Sequence, residues 1–546
     1  RTTHDQSFNA AFKEDGIKRS VNDRVREEDL TPLEHGHTAL RHIHRLLALR
    51  EKHPGVHLPQ AKIDFKSAYR RLHLDGPTAA QAITTTRGLT PPNEGELALM
   101  SLCQTFGASP GASVFCDMSE SMTDLANHMV RWEEWDHKVV KSKYIEYIGQ
   151  AKYLPDDMPF AEAKPMLVEP EADGKMTANS FIDDVIGCWA AWKESDNERN
   201  IQALLTAFEA MARPNVPDGE SLTRDDVMAI TKLLAEGTPT EVLVVLGWIF
   251  DSRRLEVKLP EDKFEAWTAD ITRMLKKESK QPRVKDLQQL IGRLEHATTH
   301  MPMTCHFLNN LRKTLWRCER YGNTKLTGAD KKDLRLWLKF LSWAKEGLDM
   351  NLMSFRVPNQ ITITDACPKG LGGFSVVSGR AWRWAIPPHL QGKRHINFLE
   401  FLACIINIVW EMYEGRVSKG DCHLSIGDNT TAMGWLRRSN FEPEDQAAHA
   451  ALARWFAELM MENHQCLYSQ WLAGILNEVA DLLSRKTLEQ DMANKQLTEH
   501  ILSKFSEQVP KTFKVCPLPD EIICLLSHWV QYDTPPTGFK LPPIGE

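Results

Sequence analysis

Short apolar runs broken by Gly and Pro fill residues 1–250, a pattern that predicts strands alternating with helices. Within this region Ala61-Lys-Ile-Asp64 reads as a buried strand with Asp64 at its end. Ser180-Phe181-Ile182-Asp183-Asp184-Val185-Ile186 reads as a strand or hairpin in which two acids interrupt an apolar run. Residues 131–175 are charged and irregular and predict a surface insertion. From 251 to 356 the apolar positions fall at helical spacing. Residues 357–486 open with strand-like ITITDA, pass the hairpin signal GLGGF and end in helices. Residues 487–546 carry Pro517, Pro519, Pro535, Pro536, Pro542 and Pro543, which predicts a helix or two and then a linker. There is no internal repeat and no long low-complexity tract.

A length of 546 residues suggests three or four domains at about 150 residues each. With 42% hydrophobic and 25% charged residues, the chain is neither wholly disordered nor collagen-like. Its net charge of −7 confines any nucleic-acid site to a local basic surface. Residues 252–345 supply such a surface, with 21 Lys/Arg against 11 Asp/Glu; the same excess would also suit a solvated helical face. The 11 Cys are scattered singly, with no C-x-x-C pair, which argues against a zinc finger or disulfide framework and for a reducing compartment. No run of about 18 uncharged apolar residues predicts a membrane span. The first residues lack both an apolar signal core and a Met, which predicts a piece of a longer chain.

The candidate chemistry lies in two sets of carboxylates. Bare acids amid apolar residues are costly to bury, and a hard divalent cation with oxygen ligands offsets that cost. Asp64 and the pair Asp183–Asp184 have this character. Neighbouring side chains on a strand point to opposite faces, so both acids of the pair reach one cation only if a tight turn falls between them. Standing alone, an acid pair also serves as a cap or turn.

Together these segments resemble reverse transcriptases. Asp64-Phe65-Lys-Ser-Ala-Tyr69 resembles their palm motif A, and Phe181-Ile182-Asp183-Asp184 their Y-x-D-D box with Phe in place of Tyr. Arg19-Ser-Val-Asn-Asp23 resembles the fingers motif R-x-x-V-D, and Phe106-Gly107 through Phe115 resembles motif B, with Pro110 two residues early. Val245-Leu-Gly247-Trp248, then Leu259-Pro260-x-x-Lys263, resembles the primer grip of gypsy-like and DIRS-type retrotransposons, and Leu290-Ile-Gly292-Arg-Leu294 the thumb that follows. The resemblance implies that Asp64, Asp183 and Asp184 hold two Mg²⁺ ions, with Mn²⁺ as a substitute. It implies that Arg19 meets the incoming triphosphate and that Tyr69 lies under the sugar. Phe65, Phe106, Gly107, Gly247 and Trp248 would line the nucleotide and primer sites. Lys232 is a shifted candidate for the usual motif D lysine. The 119 residues between Asp64 and Asp183 exceed those of compact relatives, which the insertion explains.

The second set is Asp365, Glu400, Asp428 and Asp481, at spacings of 35, 28 and 53. Its neighbours, Thr364-Asp365-Ala366 with Gly370-Leu-Gly372-Gly373, Asn397-Phe-Leu-Glu400, Gly427-Asp428-Asn429 and Asn477-Glu-Val-Ala480-Asp481-Leu-Leu-Ser484-Arg485, resemble retroelement RNase H domains. There the first acid lies in a hairpin, the second on the first helix, the third at a strand end and the fourth at the start of the last helix. The resemblance implies that the four acids hold two Mg²⁺ ions and cut the RNA strand of an RNA/DNA hybrid. Two departures stand out. Cys367 replaces a usual Ser, and Trp471 stands where many relatives have His, which implies slower cleavage because indole cannot shuttle protons near neutral pH.

The expected architecture is thus an α/β (α+β) multidomain chain. A right-hand polymerase fold would span fingers and palm in 1–250 and a basic helical thumb and connection in 251–356. An RNase H-like domain would follow in 357–486 and a tail in 487–546. The expected partners are an RNA template, a DNA primer, the hybrid and deoxynucleoside triphosphates, inside the cell, cytoplasmic or nuclear, with no membrane. The element type, gypsy-like or DIRS-type, stays open; the third region leans to the latter. The alternative is a decayed or domesticated copy that keeps the fold as a nucleic-acid-binding scaffold.

Overall fold

The computed structural model describes Asn22, Val25, Arg26, Glu28 and Leu30, and then residues 37–81, 83–86, 97–105, 107–108, 110–168, 170–212, 226–276, 282–322, 325–436, 446–486 and 492–545. The chain is mixed α/β and divides into two units, residues 1–164 with 168–256, and residues 165–167 with 257–546.

The first unit is built on a three-stranded antiparallel sheet, β1 (Gln60–Asp64), β4 (Thr177–Phe181) and β5 (Asp184–Cys188), with β5 in the middle. Two further strands, β2 (Ile83–Thr86) and β3 (Leu97–Met100), pair with each other. Strand β1 is buried along its whole length, as its Ala and Ile predict. Helix α1 (Thr38–Lys52) precedes it and the short α2 (Gly76–Gln81) follows. Helices α3 (Gly111–Arg131) and α4 (Glu194–Met211) pack together, and Phe115, Met122, Ala126, Ile201, Leu204 and Phe208 form one core with Ile63 and Val185 of the sheet and Trp189 just past β5. Asn127 locks α3 to β4: its side chain accepts from the Ala178 amide at 2.7 Å and donates to the Ala178 carbonyl at 3.1 Å. The charged stretch 131–175 has little regular structure, but it is anchored, since Trp135 and Tyr144 are buried in this core. Helix α5 (Ile230–Glu236) lies along β1, and β6 (Val242–Val245) and β7 (Trp248–Asp251) form a hairpin. Its two-residue turn, Leu246–Gly247, has φ of +47° and +82°, as a type I′ connection requires.

The chain passes to the second unit within β8 (Glu256–Lys258). Helices α6 (Glu261–Leu275), α7 (Val284–Thr298), α8 (Asn309–Tyr321) and α9 (Gly328–Glu346) come first, then the short β9 (Leu348–Asp349). A six-stranded sheet follows, ordered β14 (Cys466–Trp471), β13 (Cys422–Gly427), β10 (Gln360–Cys367), β11 (Gly370–Ser375), β12 (Arg380–Ala385), β15 (Lys514–Val515). The β10–β11–β12 pairs are antiparallel, whereas β13 and β14 join parallel to β10. Helix α10 (Ile396–Tyr413) covers β10 and β11; α11 (Thr430–Trp435), α12 (Gln446–Glu462) and α13 (Glu478–Asp481) follow. Among the described residues α10 is the one helix long and apolar enough to cross a membrane, and 83% of it is buried inside this unit. Arg454 of α12 meets Asp333 of α9 at 2.6 Å in a pair that leaves Asp333 almost fully buried.

The helix or two expected after residue 486 are present, and they pack into the unit rather than trailing from it. Helix α14 (Asn494–Lys504) places Leu497 and Ile501 in one core with Phe374, Val479 and Leu483, joined by Phe505, Val509 and Phe513. Strand β15 pairs with β12, and α15 (Asp520–Gln531) packs on α10. Pro519 does not break structure here; it is the residue that opens α15, where a missing N–H costs nothing.

Candidate active sites

In the first unit the register of β1 and β5 sets Asp64 directly across from Asp184. Like charges opposite each other on paired strands destabilise a sheet, so the chain needs a cation there. Lys232 of α5 supplies one, with its ammonium on Asp64 Oδ2. Asp64 is only 5% exposed, and its other oxygen is buried without a hydrogen-bond partner. Asp184 is held above the usual carboxylate range, chiefly by burial and further by the charges of Asp183 and Glu236, against the pull of Lys62.

The turn does not fall between the two acids of the pair. Phe181 pairs with Asp184, so the turn residues are Ile182 and Asp183. Ile182 has φ +56°, a left-handed conformation that a β-branched residue adopts at a cost of about 1–3 kcal/mol. The strained turn lifts Asp183 off the strand while Asp184 stays in the ladder. Tyr69, in the helical turn Ala68–Arg71, packs edge-on against Phe115 at 5.7 Å, and the charge of Asp183 adds to burial in raising its phenol. Tyr69 and Asp183 therefore share one neighbourhood.

The remaining expected substrate residues are placed unevenly. Phe65 is 3% exposed and packs edge-on against Phe115 and tilted against Phe208, so its ring belongs to the core rather than to a substrate surface. Trp248 is likewise fully buried, behind the turn made by Gly247. Gly107 has φ +104°, and its carbonyl accepts from Asn22 Nδ2 at 2.8 Å, which ties the expected motif B to the segment of the expected fingers motif. Arg19 and Phe106 lie outside the described residues.

In the second unit, ligand oxygens of Asp365, Glu400 and Asp428 all lie within 4.8 Å of one another; among the described residues this is the only group of three or more His, Cys, Asp or Glu so gathered. Asp365 sits on β10, Glu400 one turn inside α10, and Asp428 just past the end of β13. Gly372 faces Asp365 across the hairpin, and a Cβ there would lie 2.6 Å from Leu483 Cβ and 2.9 Å from the Ser484 amide. The missing side chain is what lets Ser484 approach and donate its hydroxyl to Asp365 Oδ2. Asp365 Oδ1 is buried with no partner. The Asn429 side chain caps α11 through the Ala432 amide at 3.0 Å, which fixes the chain beside Asp428. Asp481 is not part of the cluster: its carboxylate meets Arg485 Nε at 2.7 Å, an i,i+4 pair, and the same nitrogen lies 3.8 Å from Asp365 Oδ2. Trp471 is half-exposed, and its indole N–H donates to the Asp428 carbonyl at 2.9 Å.

Burial pushes the Glu400 carboxyl up to about 9, aided by the charges of Asp365 and Asp428, and burial likewise lifts Asp365 to about 6. A buried acid with a raised folded pKa favours folding while it is protonated and opposes folding as it ionises. For Glu400 the penalty therefore grows from its ordinary value of 4.5 to about 9. In EDTA, Glu400→Gln is expected to raise the melting temperature at pH 8 by about 5 °C and to leave it unchanged near pH 4.5. A thermal melt at the two pH values checks this; equal shifts at both would mean that Glu400 carries no such penalty.

Both sites fit a hard cation by the chemistry of their donors: each offers a buried carboxylate oxygen with no partner. The second gathers three carboxylates, whereas the first already holds a lysine ammonium. Lys232 is out of step with the usual motif in the sequence, and the packing of α5 on β1 is what brings it to Asp64. No protein-family model matches the chain, and no curated protein matches it either.

Proposed function

We propose that this chain is an RNA-directed DNA polymerase joined to a ribonuclease H, from a retrotransposon polyprotein. The observation that carries the reading is the convergence of Asp365, Glu400 and Asp428 from a hairpin strand, a helix and a strand end, the three settings that the sequence resemblance implies. The strained hairpin that presents Asp183 beside Asp64 and Asp184 supports the polymerase half. Divalent cations, when bound at these acids, would lower the pKa of an attacking hydroxyl or water and offset charge on the leaving oxygen.

The chain's own residues do the positioning. Asp64, Asp183 and Asp184 would hold the polymerase cations, with Tyr69 beside Asp183 to meet the sugar and Arg19 to meet the triphosphate. Asp365, Glu400 and Asp428 would hold the nuclease cations, with Asp481 joining once it leaves Arg485. Ser484 keeps Asp365 in one orientation, and Arg485 offsets negative charge around it. Hybrid made in the first unit is substrate for the second.

Lys232 on Asp64 favours a second reading, a nucleic-acid-binding scaffold without catalysis, because a lysine already neutralises that acid. A labelled DNA primer on a labelled RNA template, with Mg²⁺ and deoxynucleotides, separates the two. Primer extension with RNA cleavage is expected; hybrid binding with neither activity overturns the enzyme reading. Trp471→His is expected to speed RNA cleavage by about tenfold, because a titratable ring regains a proton path beside Asp428. An unchanged rate would mean that position 471 limits nothing.

A further inference from the structure

On α8, Lys313, Trp316, Arg317 and Arg320 stand at i, i+3, i+4 and i+7, one face of the helix, while Leu311, Thr314 and Cys318 face the core. Trp316 is 52% exposed. The Arg320 guanidinium lies 5.2 Å from the Trp316 ring centre, and Tyr321 meets the same ring edge-on at 6.0 Å. The face borders a groove of about 680 Å³ whose lining includes Lys313, Trp316, Arg317, Lys332, Ala450 and Arg454.

The cations here differ in their commitments. Arg454 is held by Asp333. Arg317 is braced from behind, donating to Thr314 Oγ1 at 2.5 Å, while that hydroxyl donates to the buried Asp330 at 2.9 Å. Lys313 and Lys332 are exposed, and among the described residues neither forms an ion pair. The wall contributed by α12 includes Ala447 and Ala450, small and uncharged. Unneutralised cations in a groove concentrate positive potential.

We infer that this groove binds single-stranded nucleic acid without reading its sequence. Lys313, Arg317 and Lys332 would follow the phosphates, and Trp316, backed by Arg320, would stack on an unpaired base. A duplex keeps its bases stacked on each other and has no free face for Trp316. An acidic peptide would use the cations and leave the ring idle. The inference rests on the reading above only in choosing nucleic acid as the ligand, since the groove shares no residue with either acidic cluster.

The test is fluorescence anisotropy of a labelled 20-nucleotide oligo-dT with the full chain in EDTA, at salt from 50 to 200 mM. The double variant Lys313→Gln/Lys332→Gln is expected to weaken binding at least tenfold at 100 mM salt and to flatten the log K against log salt slope by about 1.4. Trp316→Ala is expected to weaken it about tenfold with the slope unchanged, and Trp316→Phe to restore most of the loss. As a measurement independent of any variant, 4-thiothymidine in the oligonucleotide is expected to crosslink within residues 309–336. Wild-type affinity in both Lys and Trp variants overturns the inference. So does equal sensitivity of blunt duplex DNA to Trp316→Ala, or displacement by polyglutamate at equal charge concentration. Variant-sensitive binding in a chain with no extension and no cleavage supports the groove while ending the enzyme reading; the converse pattern ends the groove alone.

Discussion

Asp365→Asn is expected to cut RNA-strand cleavage by at least about three orders of magnitude while primer extension stays within about twofold of the native chain. Asp365 is fully buried in the one acidic cluster gathered among the described residues, with one oxygen held by Ser484 and the other without a partner. Asn keeps the shape and the Ser484 contact but removes the charge a cation needs, and a thousandfold loss corresponds to about 4 kcal/mol of transition-state stabilisation. The same change removes a buried charge and relieves the repulsion from Asp428. The variant is therefore expected to melt higher than the native chain in EDTA at pH 8, and to gain less from added Mg²⁺. Lost cleavage with a raised melting point separates a disabled site from a misfolded one. Retained cleavage would move the nuclease centre away from this cluster.

That cluster was legible in the sequence because each acid travels with neighbours whose structural duties are local. Gly372 and Gly373 announce a tight approach, Asn429 announces a helix cap, and Ser484 and Arg485 follow Asp481 at helical spacing. Local ion pairing also explains why the fourth acid stands apart. Asp481 finds in Arg485, one turn away, the opposite charge that three other carboxylates do not offer. The hairpin turn is hidden in the sequence because Ile182 has every propensity for an extended strand, and only the pairing of Phe181 with Asp184 forces it left-handed. Motif position alone gives Phe65 and Trp248 to the substrate; burial, which motif position does not encode, gives them to the core. In the tail the helices are legible but their burial is not: Leu497, Ile501, Phe505, Val509 and Phe513 recur every four residues and all reach one core, which proline content does not announce. Proline stops a helix from its interior but starts one from its first turn, so the position of each proline matters more than their number.

Asp64→Asn is the change expected to abolish primer extension, by about three orders of magnitude or more, with RNA cleavage and hybrid binding retained. Asp64 ends β1 across from Asp184, and Asp183 reaches the same neighbourhood from the strained turn. Among the described residues these three acids do not converge as tightly as those of the second unit, and Lys232 holds the first of them. Removing the Asp64 charge loses the Lys232 pair but also ends the cross-strand repulsion with Asp184. A lysine that is half-exposed contributes little as an ion pair, so folding stability is expected to change by less than about 1 kcal/mol. Lys232→Ala provides the contrast. If Lys232 only fills in for a cation, its loss leaves Asp64 more open and extension persists, with a lower Mg²⁺ requirement. If the chain is a scaffold that keeps Lys232 as its permanent counter-ion, Lys232→Ala leaves Asp64 buried and unpaired and lowers the melting temperature, with no extension in either form. Extension assayed across a Mg²⁺ titration, beside a melt of each variant, decides between them. Extension above about a tenth of native in Asp64→Asn would place the polymerising centre elsewhere in the chain.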